Sequence, residues 1–380
     1  MKKTFFLLLA LVLIVSCSKD KSDDSASGDY SISGKFVTPN GIDPVSKASV
    51  KLYKDGTLVN ETITDSEGNF ILENLSKDSY ELSISKGQFR TSTSVNLSDL
   101  IDTFTFNLDN LPIDQLPSIA VVTGSYDHIE EVLYNIGLVD PTTGEPLFDI
   151  IDGHDVMDRN PNHTDHGHHQ NTSIANRTNP MLEPNVDFGF GDFIQDPDLL
   201  DNYDIIFLNC GLNESMAEFS NNLTNFINNG GLMYATDWAY KYLNDITADG
   251  TQYMSFYDPY KSGDSLSTDA QILNQDLIDW LSLNYNINIP NATVTIDEFL
   301  SGWQVVDTYD SATVLPWLYG PVEYDGISED KHLAYTFLHG DGGVLYSSFH
   351  TENNTSDATT VERLMQYMVF ELADMKITAE

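Results

Sequence analysis

Near residue 118 the spacing of apolar side chains changes, and one sheet cannot satisfy both patterns. Before it, apolar and polar residues alternate in Ser31-Ile32-Ser33-Gly34-Lys35-Phe36-Val37, in residues 48–53 and in residues 80–84. Turn residues such as Pro39-Asn40-Gly41 and Asp55-Gly56 punctuate these runs. That is the period of half-buried antiparallel strands, and it predicts an all-β sandwich. After it, Ile119-Ala120-Val121-Val122 is continuously apolar and ends in Thr123-Gly124. Ile129, Val132, Leu133 and Ile136 then fall on one helical face. A buried strand feeding an amphipathic helix is the unit of a parallel sheet. The expected organisation is therefore multidomain: a sandwich over 29–109, a linker over 110–117 with Pro112 and Pro117, and an α/β domain over 118–380. A chain of this length is expected to give each domain its own core.

The second domain repeats its strand-helix unit. Residues 203–210 read as a strand and 216–229 as a helix, with Phe219, Leu223, Phe226 and Ile227 on one face. Gly230-Gly231 then leads a strand over 232–237, and residues 360–373 close as a helix with Val361, Leu364, Met365, Met368, Val369 and Leu372 in register. This alternation predicts a doubly wound sheet with its site at the carboxyl ends of the strands. The stretch 244–315 is less regular. A helix carrying Leu277 and Trp280 and strands over 292–296 and 303–306 are its expected elements. No phosphate loop, paired-cysteine site or internal repeat is visible.

Two resemblances follow. Gly34, Pro44, Ala48, Val50, the run Thr64-Asp65-Ser66-Glu67-Gly68-Asn69-Phe70, Leu75 and Tyr80 occur in an order that resembles the carboxypeptidase regulatory-like, transthyretin-type module. Ser79 replaces the glycine usual before the tyrosine. The resemblance implies a spacer or adhesion unit without catalytic residues. Residues 118–372 resemble the class I glutamine amidotransferase-like superfamily, with a flavodoxin-like sheet. The features that carry this are the glycine-led strand, the sharp turn after it, and the late run from Gly342 through His350-Thr351-Glu352.

In active members of that superfamily a cysteine sits at the turn and a His-x-Glu pair supplies the base and its orienting carboxylate. His350 and Glu352 match the pair. The elbow falls at Thr236 or Asp237, with Asp237 the better fit, so the thiol is missing. Cys210 ends the preceding strand, one element too early to replace it. A carboxylate is a poor nucleophile toward an unactivated amide, so glutamine hydrolysis is not expected. The expectation is a pseudoenzyme that binds a ligand, glycan or protein partner. The alternative is a hydrolase acting through Asp237, His350 and Glu352, with Asp237 as base, nucleophile or a divalent-metal ligand beside His350.

A loop over 153–179 holds five of the nine histidines: His154, His163, His166, His168 and His169, mixed with Asp152, Asp155, Asp158 and Asp165. Imidazole and carboxylate together suit zinc, copper or nickel, while a solvated, Asn-rich insertion is the simpler account of a composition that fixes no geometry. Trp238, Tyr240, Tyr253, Phe256, Tyr257, Tyr260 and Trp303 read either as core or as a carbohydrate platform.

At the amino terminus Lys2 and Lys3 precede an apolar run over 5–15 that stops at Ser16-Cys17-Ser18. The run is too short to span a bilayer and reads as a signal peptide over 1–17. Leu13-Ile14-Val15-Ser16-Cys17 resembles a lipobox, which implies a bacterial, Bacteroidetes-type lipoprotein acylated at Cys17. Residues 18–28 are a polar tether. The expected location is the outer membrane, on its periplasmic or cell-surface face, with the membrane engaged through lipid. Once Cys17 carries lipid, Cys210 is left without a disulfide partner. The 18 basic and 58 acidic residues give a net charge of −40. That field repels nucleic acid, which is excluded as a partner, and attracts cations.

Overall fold

The computed structural model of the chain describes residues 28, 30–100, 104–154, 180–285, 290–350 and 359–375. The amino-terminal alternation builds β1 (Tyr30–Val37), β2 (Ser49–Lys54), β3 (Thr57–Ile63), β4 (Asn69–Leu75), β5 (Ser79–Lys86), β6 (Phe89–Asn96) and β7 (Thr105–Pro112). They form a three-stranded sheet in the order β4-β1-β7 and a four-stranded sheet in the order β3-β2-β5-β6. Ile32, Phe36, Val50, Leu52, Phe70, Leu72, Leu82 and Ile84 point between the sheets and are buried. The stretch read as a linker starts inside this unit: residues 110–112 belong to β7, Ile113 is buried, and the Arg90 N–H donates to the Gln115 carbonyl at 2.9 Å.

The rest of the chain forms β8 (Ile119–Val122), α1 (Ile129–Asn135), β9 (Asp149–Ile151), α2 (Phe190–Gln195), α3 (Pro197–Leu200), β10 (Ile205–Leu208), α4 (Ser220–Asn228) and β11 (Leu232–Thr236). Short strands β12 (Thr247–Ala248), β13 (Thr251–Gln252) and β14 (Met254–Phe256) follow, then β15 (Leu266–Ile272), α5 (Gln275–Tyr285), β16 (Thr293–Phe299) and β17 (Val306–Tyr309). The final elements are β18 (Val314–Tyr324), β19 (Ile327–His339), β20 (Gly342–Ser347) and α6 (Thr360–Met375). One nine-stranded sheet runs β16-β15-β18-β19-β20-β11-β10-β8-β9. Its β20-β11-β10-β8-β9 portion is parallel, and β19, β18, β15 and β16 extend it antiparallel.

Successive residues of the parallel strands serve opposite faces, as a pleat requires. Ile119, Val121, Ile205, Phe207, Leu232 and Tyr234 join α1, α5 and α6 on one side. Ala120, Val122, Ile206, Leu208, Met233 and Ala235 join α2, α3 and α4 on the other. Helices on both faces explain why these strands read as unbroken apolar runs. The expected helix over 216–229 is divided into a 3-10 turn over Glu214–Phe219 and α4. The expected strand over 303–306 is displaced: the strand β17 begins at Val306, and Gln304 makes an isolated bridge to Ser262.

Two separate cores were expected, and this is corrected by a single apolar cluster that runs from the sandwich through to the sheet and α6. Phe89 meets Phe370 edge to face, with ring centroids 4.9 Å apart. Lys86, buried at 2% exposure, sends its ammonium to Glu371 Oε1 at 2.8 Å and Asp374 Oδ2 at 3.1 Å. Among the described residues no helix is long and apolar enough to cross a membrane.

Candidate functional site

Parallel pairing decides which side chains meet at the carboxyl edge. Leu208 pairs with Ala235 and Thr236 with Ser347, so Cys210 and Asp237 emerge at the same level from adjacent strands. The Cys210 N–H donates to Thr236 Oγ1 at 2.8 Å and ties the two exits together. On the far side of β10, the position of a Cβ on Gly124 would lie 2.0 Å from the Cys210 carbonyl oxygen, so only glycine allows that approach.

Asp237 leaves β11 with φ at +39°, in the left-handed region, and opens the 3-10 turn over Asp237–Tyr242. For an aspartate that conformation costs about 1 kcal/mol and persists only where surrounding contacts enforce it. The contacts are present. Asp237 Oδ1 accepts the Gln304 N–H at 2.8 Å, and the Tyr346 hydroxyl donates to the Asp237 carbonyl at 3.3 Å. Oδ2 lies 3.2 Å from His350 Nε2 and 3.5 Å from Cys210 Sγ. Asp237 and Cys210 are each 1% exposed and His350 is 2% exposed. Burial, reinforced by the Asp237 charge, pushes the Cys210 thiol well above its usual range, so it rests as a neutral donor to the carboxylate and is not a nucleophile.

Next to this group, at the carboxyl end of β10 and the start of α1, is a second buried polar cluster. Asn209 Nδ2 donates to Glu130 Oε2 at 2.8 Å and to the Asp127 carbonyl at 3.2 Å. His128 Nδ1 is 3.5 Å from Glu130 Oε1. Burial opposes protonation of His128, but the Glu130 hydrogen bond and the charges of Glu130, Asp127 and Glu131 outweigh it and hold its pKa above the ordinary value. A raised folded-state pKa contributes stability that is fully present below the unfolded imidazole pKa of about 6.5 and is lost as pH rises through the folded value. Urea unfolding of the wild type and His128→Gln should therefore show the wild type's advantage at about pH 5.5 and a smaller one at about pH 8.5. An advantage that grows with pH would contradict the arrangement.

Of the residues expected at the site, Asp237 and His350 come together. Glu352 lies outside the described residues, as do Cys17, His163, His166, His168 and His169. His154 is described. Its Nε2 is 3.1 Å from Ser125 Oγ and its N–H donates to Asp152 Oδ1, and among the described residues it joins no group of three metal-type ligands. Cys210 is the residue that sequence reasoning set aside. It does end the preceding strand, yet parallel register brings its sulfur against Asp237, and counting two residues beyond each paired strand end would have found it.

The aromatic residues divide. Trp303 and Tyr253 are buried, whereas Trp238, Tyr240, Phe256 and Tyr260 form a partly exposed row beside the elbow. Trp238 and Tyr260 have ring centroids 5.1 Å apart, Tyr240 and Phe256 4.5 Å, and Lys241 Nζ sits 4.9 Å from the Trp238 ring.

Residues 31–109 match the family model of the carboxypeptidase regulatory-like domain, and the amino-terminal sandwich is such a domain. No curated protein matches the chain in sequence. Among solved structures, the chain is similar to the 5-hydroxyisourate hydrolase of Klebsiella pneumoniae, at 15% identity and a TM-score of 0.19, over 22% of this chain and 90% of that one. It is similar to a ThuA-like protein from Parabacteroides merdae, at 10% identity and a TM-score of 0.36, over 68% of this chain and 89% of that one. It is also similar to a GH42 β-galactosidase from G. stearothermophilus, at 12% identity and a TM-score of 0.25, over 45% of this chain. That match spans 21% of the galactosidase's length.

Proposed function

We propose that this chain is an outer-membrane lipoprotein, anchored through Cys17, whose amidotransferase-like α/β domain lacks a nucleophile and binds a glycan. The observation that carries the reading is the condition of Asp237. It stands where a nucleophile would stand, but it is buried and its two carboxylate oxygens are engaged by Gln304, His350 and Cys210. A carboxylate held in this way organises the turn instead of reaching a substrate.

The likeness to amidotransferases is supported by the parallel strands, which counted in chain order run 2-1-3-4-5, the flavodoxin-like order of a doubly wound sheet. It is also supported by the left-handed residue at the sharp turn after β11. A glycan is favoured over other ligands by the row of Trp238, Tyr260, Tyr240 and Phe256, whose faces suit the apolar faces of sugar rings. The carboxypeptidase regulatory-like domain fits the role of spacer. Under the hydrolase alternative, His350 takes up a proton during turnover.

Thermal unfolding of the chain with a panel of oligosaccharides, alongside assays of ammonia release from glutamine and of ester hydrolysis, separates the two readings. One class of oligosaccharide should raise the Tm of the wild type and not of the Trp238→Ala, Tyr260→Ala double variant. Any background hydrolysis should be equal in the wild type and His350→Ala. Turnover that drops about 100-fold in His350→Ala would establish the hydrolase instead.

A further inference from the structure

Among the described residues, one group of three metal-type ligands converges: Cys210 from the end of β10, Asp237 from the end of β11 and His350 from beyond β20. Their ligand atoms all lie within 4.8 Å of one another, and all three residues are buried. We infer that Cys210 Sγ, Asp237 Oδ2 and His350 Nε2 form a buried binding site for one divalent ion of the zinc type. The inference does not depend on the amidotransferase likeness or on glycan binding.

The distances fit such an ion. With zinc bonded to nitrogen or oxygen at about 2.0–2.2 Å and to sulfur at about 2.3 Å, tetrahedral angles place the nitrogen and oxygen about 3.3 Å apart and the sulfur and oxygen about 3.6 Å apart. The observed separations are 3.2 Å for His350 Nε2 to Asp237 Oδ2 and 3.5 Å for Cys210 Sγ to Asp237 Oδ2. These two pairs already stand at the spacing such an ion requires, and the Cys210 sulfur lies within 4.8 Å of a His350 ring nitrogen.

The surroundings prepare the ligands. The Gln304 N–H occupies Asp237 Oδ1 and leaves Oδ2 as a monodentate ligand. The backbone N–H of Trp238 is directed at the Cys210 sulfur and offsets only part of the burial and Asp237 charge that keep the thiol protonated, so it is the incoming cation that displaces the proton. On binding, the thiol S–H bond breaks, its proton passes to solvent and a sulfur–metal bond forms. Thiolate, carboxylate and neutral imidazole around a dication then leave no net charge in a dry pocket, which removes the main cost of burying any one of them alone. The donor set of one sulfur, one nitrogen and one oxygen suits zinc rather than calcium or magnesium. Three protein ligands leave a fourth tetrahedral position for a water or an exogenous oxygen or sulfur.

The test is cobalt(II) titration of the untagged full chain carrying Cys17→Ser, so that Cys210 is the sole thiol, after removal of metal with chelator. Near-stoichiometric uptake is expected, with a thiolate-to-cobalt charge-transfer band in the near ultraviolet and visible bands of tetrahedral intensity, all displaced by zinc. Cys210→Ser should abolish the charge-transfer band and weaken binding by more than about 10-fold, with circular dichroism confirming the fold. If that variant does not fold, the charge-transfer band of the parent decides alone, since no other thiol is present. Absence of cobalt uptake, uptake without the charge-transfer band, or uptake of equal affinity in Cys210→Ser would overturn the site. The last two results would assign the ion to other ligands, His154 among them, and would leave Cys210, Asp237 and His350 as a hydrogen-bonded cluster.

Discussion

Replacing Lys86 with alanine is expected to destabilise the chain by about 3 kcal/mol, measured by guanidinium unfolding. The alternation of β5 turns Tyr80, Leu82, Ile84 and Lys86 to the same buried side, so the lysine occupies a position that in a free sandwich would face its apolar interior or water. Instead its ammonium crosses to Glu371 and Asp374 on α6, and the Gly87 N–H adds a bond to Asp374 Oδ1 at 3.2 Å. At 2% exposure the ammonium has no water to replace these partners. The two carboxylates keep 23% and 25% of their side-chain surface, so losing the cation leaves them partly solvated and holds the cost to the lower part of the range for broken buried pairs. Lys86→Met should lose less, because it keeps the packed stem. A loss under about 1 kcal/mol in the alanine variant would place this bridge among ordinary surface pairs and remove it as a determinant of the interface.

The second large effect concerns Asp237, and its order across three variants is the informative quantity. Asp237→Ala removes the acceptor of the buried Gln304 N–H and the partner of His350 and Cys210, and it also puts an alanine at φ +39°. The aspartate already carries a left-handed Cβ, so the loss comes from the orphaned buried donor and the broken contacts to His350 and Cys210, and should be about 3 kcal/mol. Asp237→Gly loses the same contacts without the backbone penalty, and should exceed the alanine variant by about 1 kcal/mol. Asp237→Asn keeps an oxygen for Gln304 and tolerates the left-handed region, and should lose only about 1 kcal/mol. Urea unfolding in chelator-containing buffer measures all three without a contribution from bound metal. If alanine and glycine prove equal, the turn at residue 237 carries no strain worth considering; if alanine matches the wild type, the carboxylate does not organise the site.

The sequence was most legible where one physical rule acts alone. The runs at Ile119-Ala120-Val121-Val122 and in β10 are buried on both faces and contain nothing polar, and the faces of α1 and α6 keep helical spacing throughout. The sandwich was readable because its strands have one wet side. The antiparallel extension was not. β18 contains Pro316, Gly320 and Pro321, which normally argue against a strand, and its register with β19 slips between Pro316 and Leu318. The signal that could have found it was Asp325-Gly326, both at positive φ, a two-residue hairpin turn between Tyr324 and Ile327. At the site, Asp237 and His350 were found by analogy of position. Cys210 was lost because chain order separates what parallel register places side by side.

The order of the strands also sets a schedule for biosynthesis. β11 pairs with β10 on one side and with β20 on the other, and β20 is the last strand of the sheet to leave the ribosome. Until it arrives, the nascent sheet presents a strand that the finished fold buries throughout, Leu232–Thr236, with an open hydrogen-bonding edge, and the antiparallel block has nothing to join it to the parallel one. α6 follows later still, and it covers both the sheet and the sandwich. Nucleation must therefore wait for pairings of high sequence separation, which makes folding slow and leaves the incomplete chain prone to self-association. Termination between the end of β11 and residue 342 would leave β11 without β20 beside it and the sheet open at its centre.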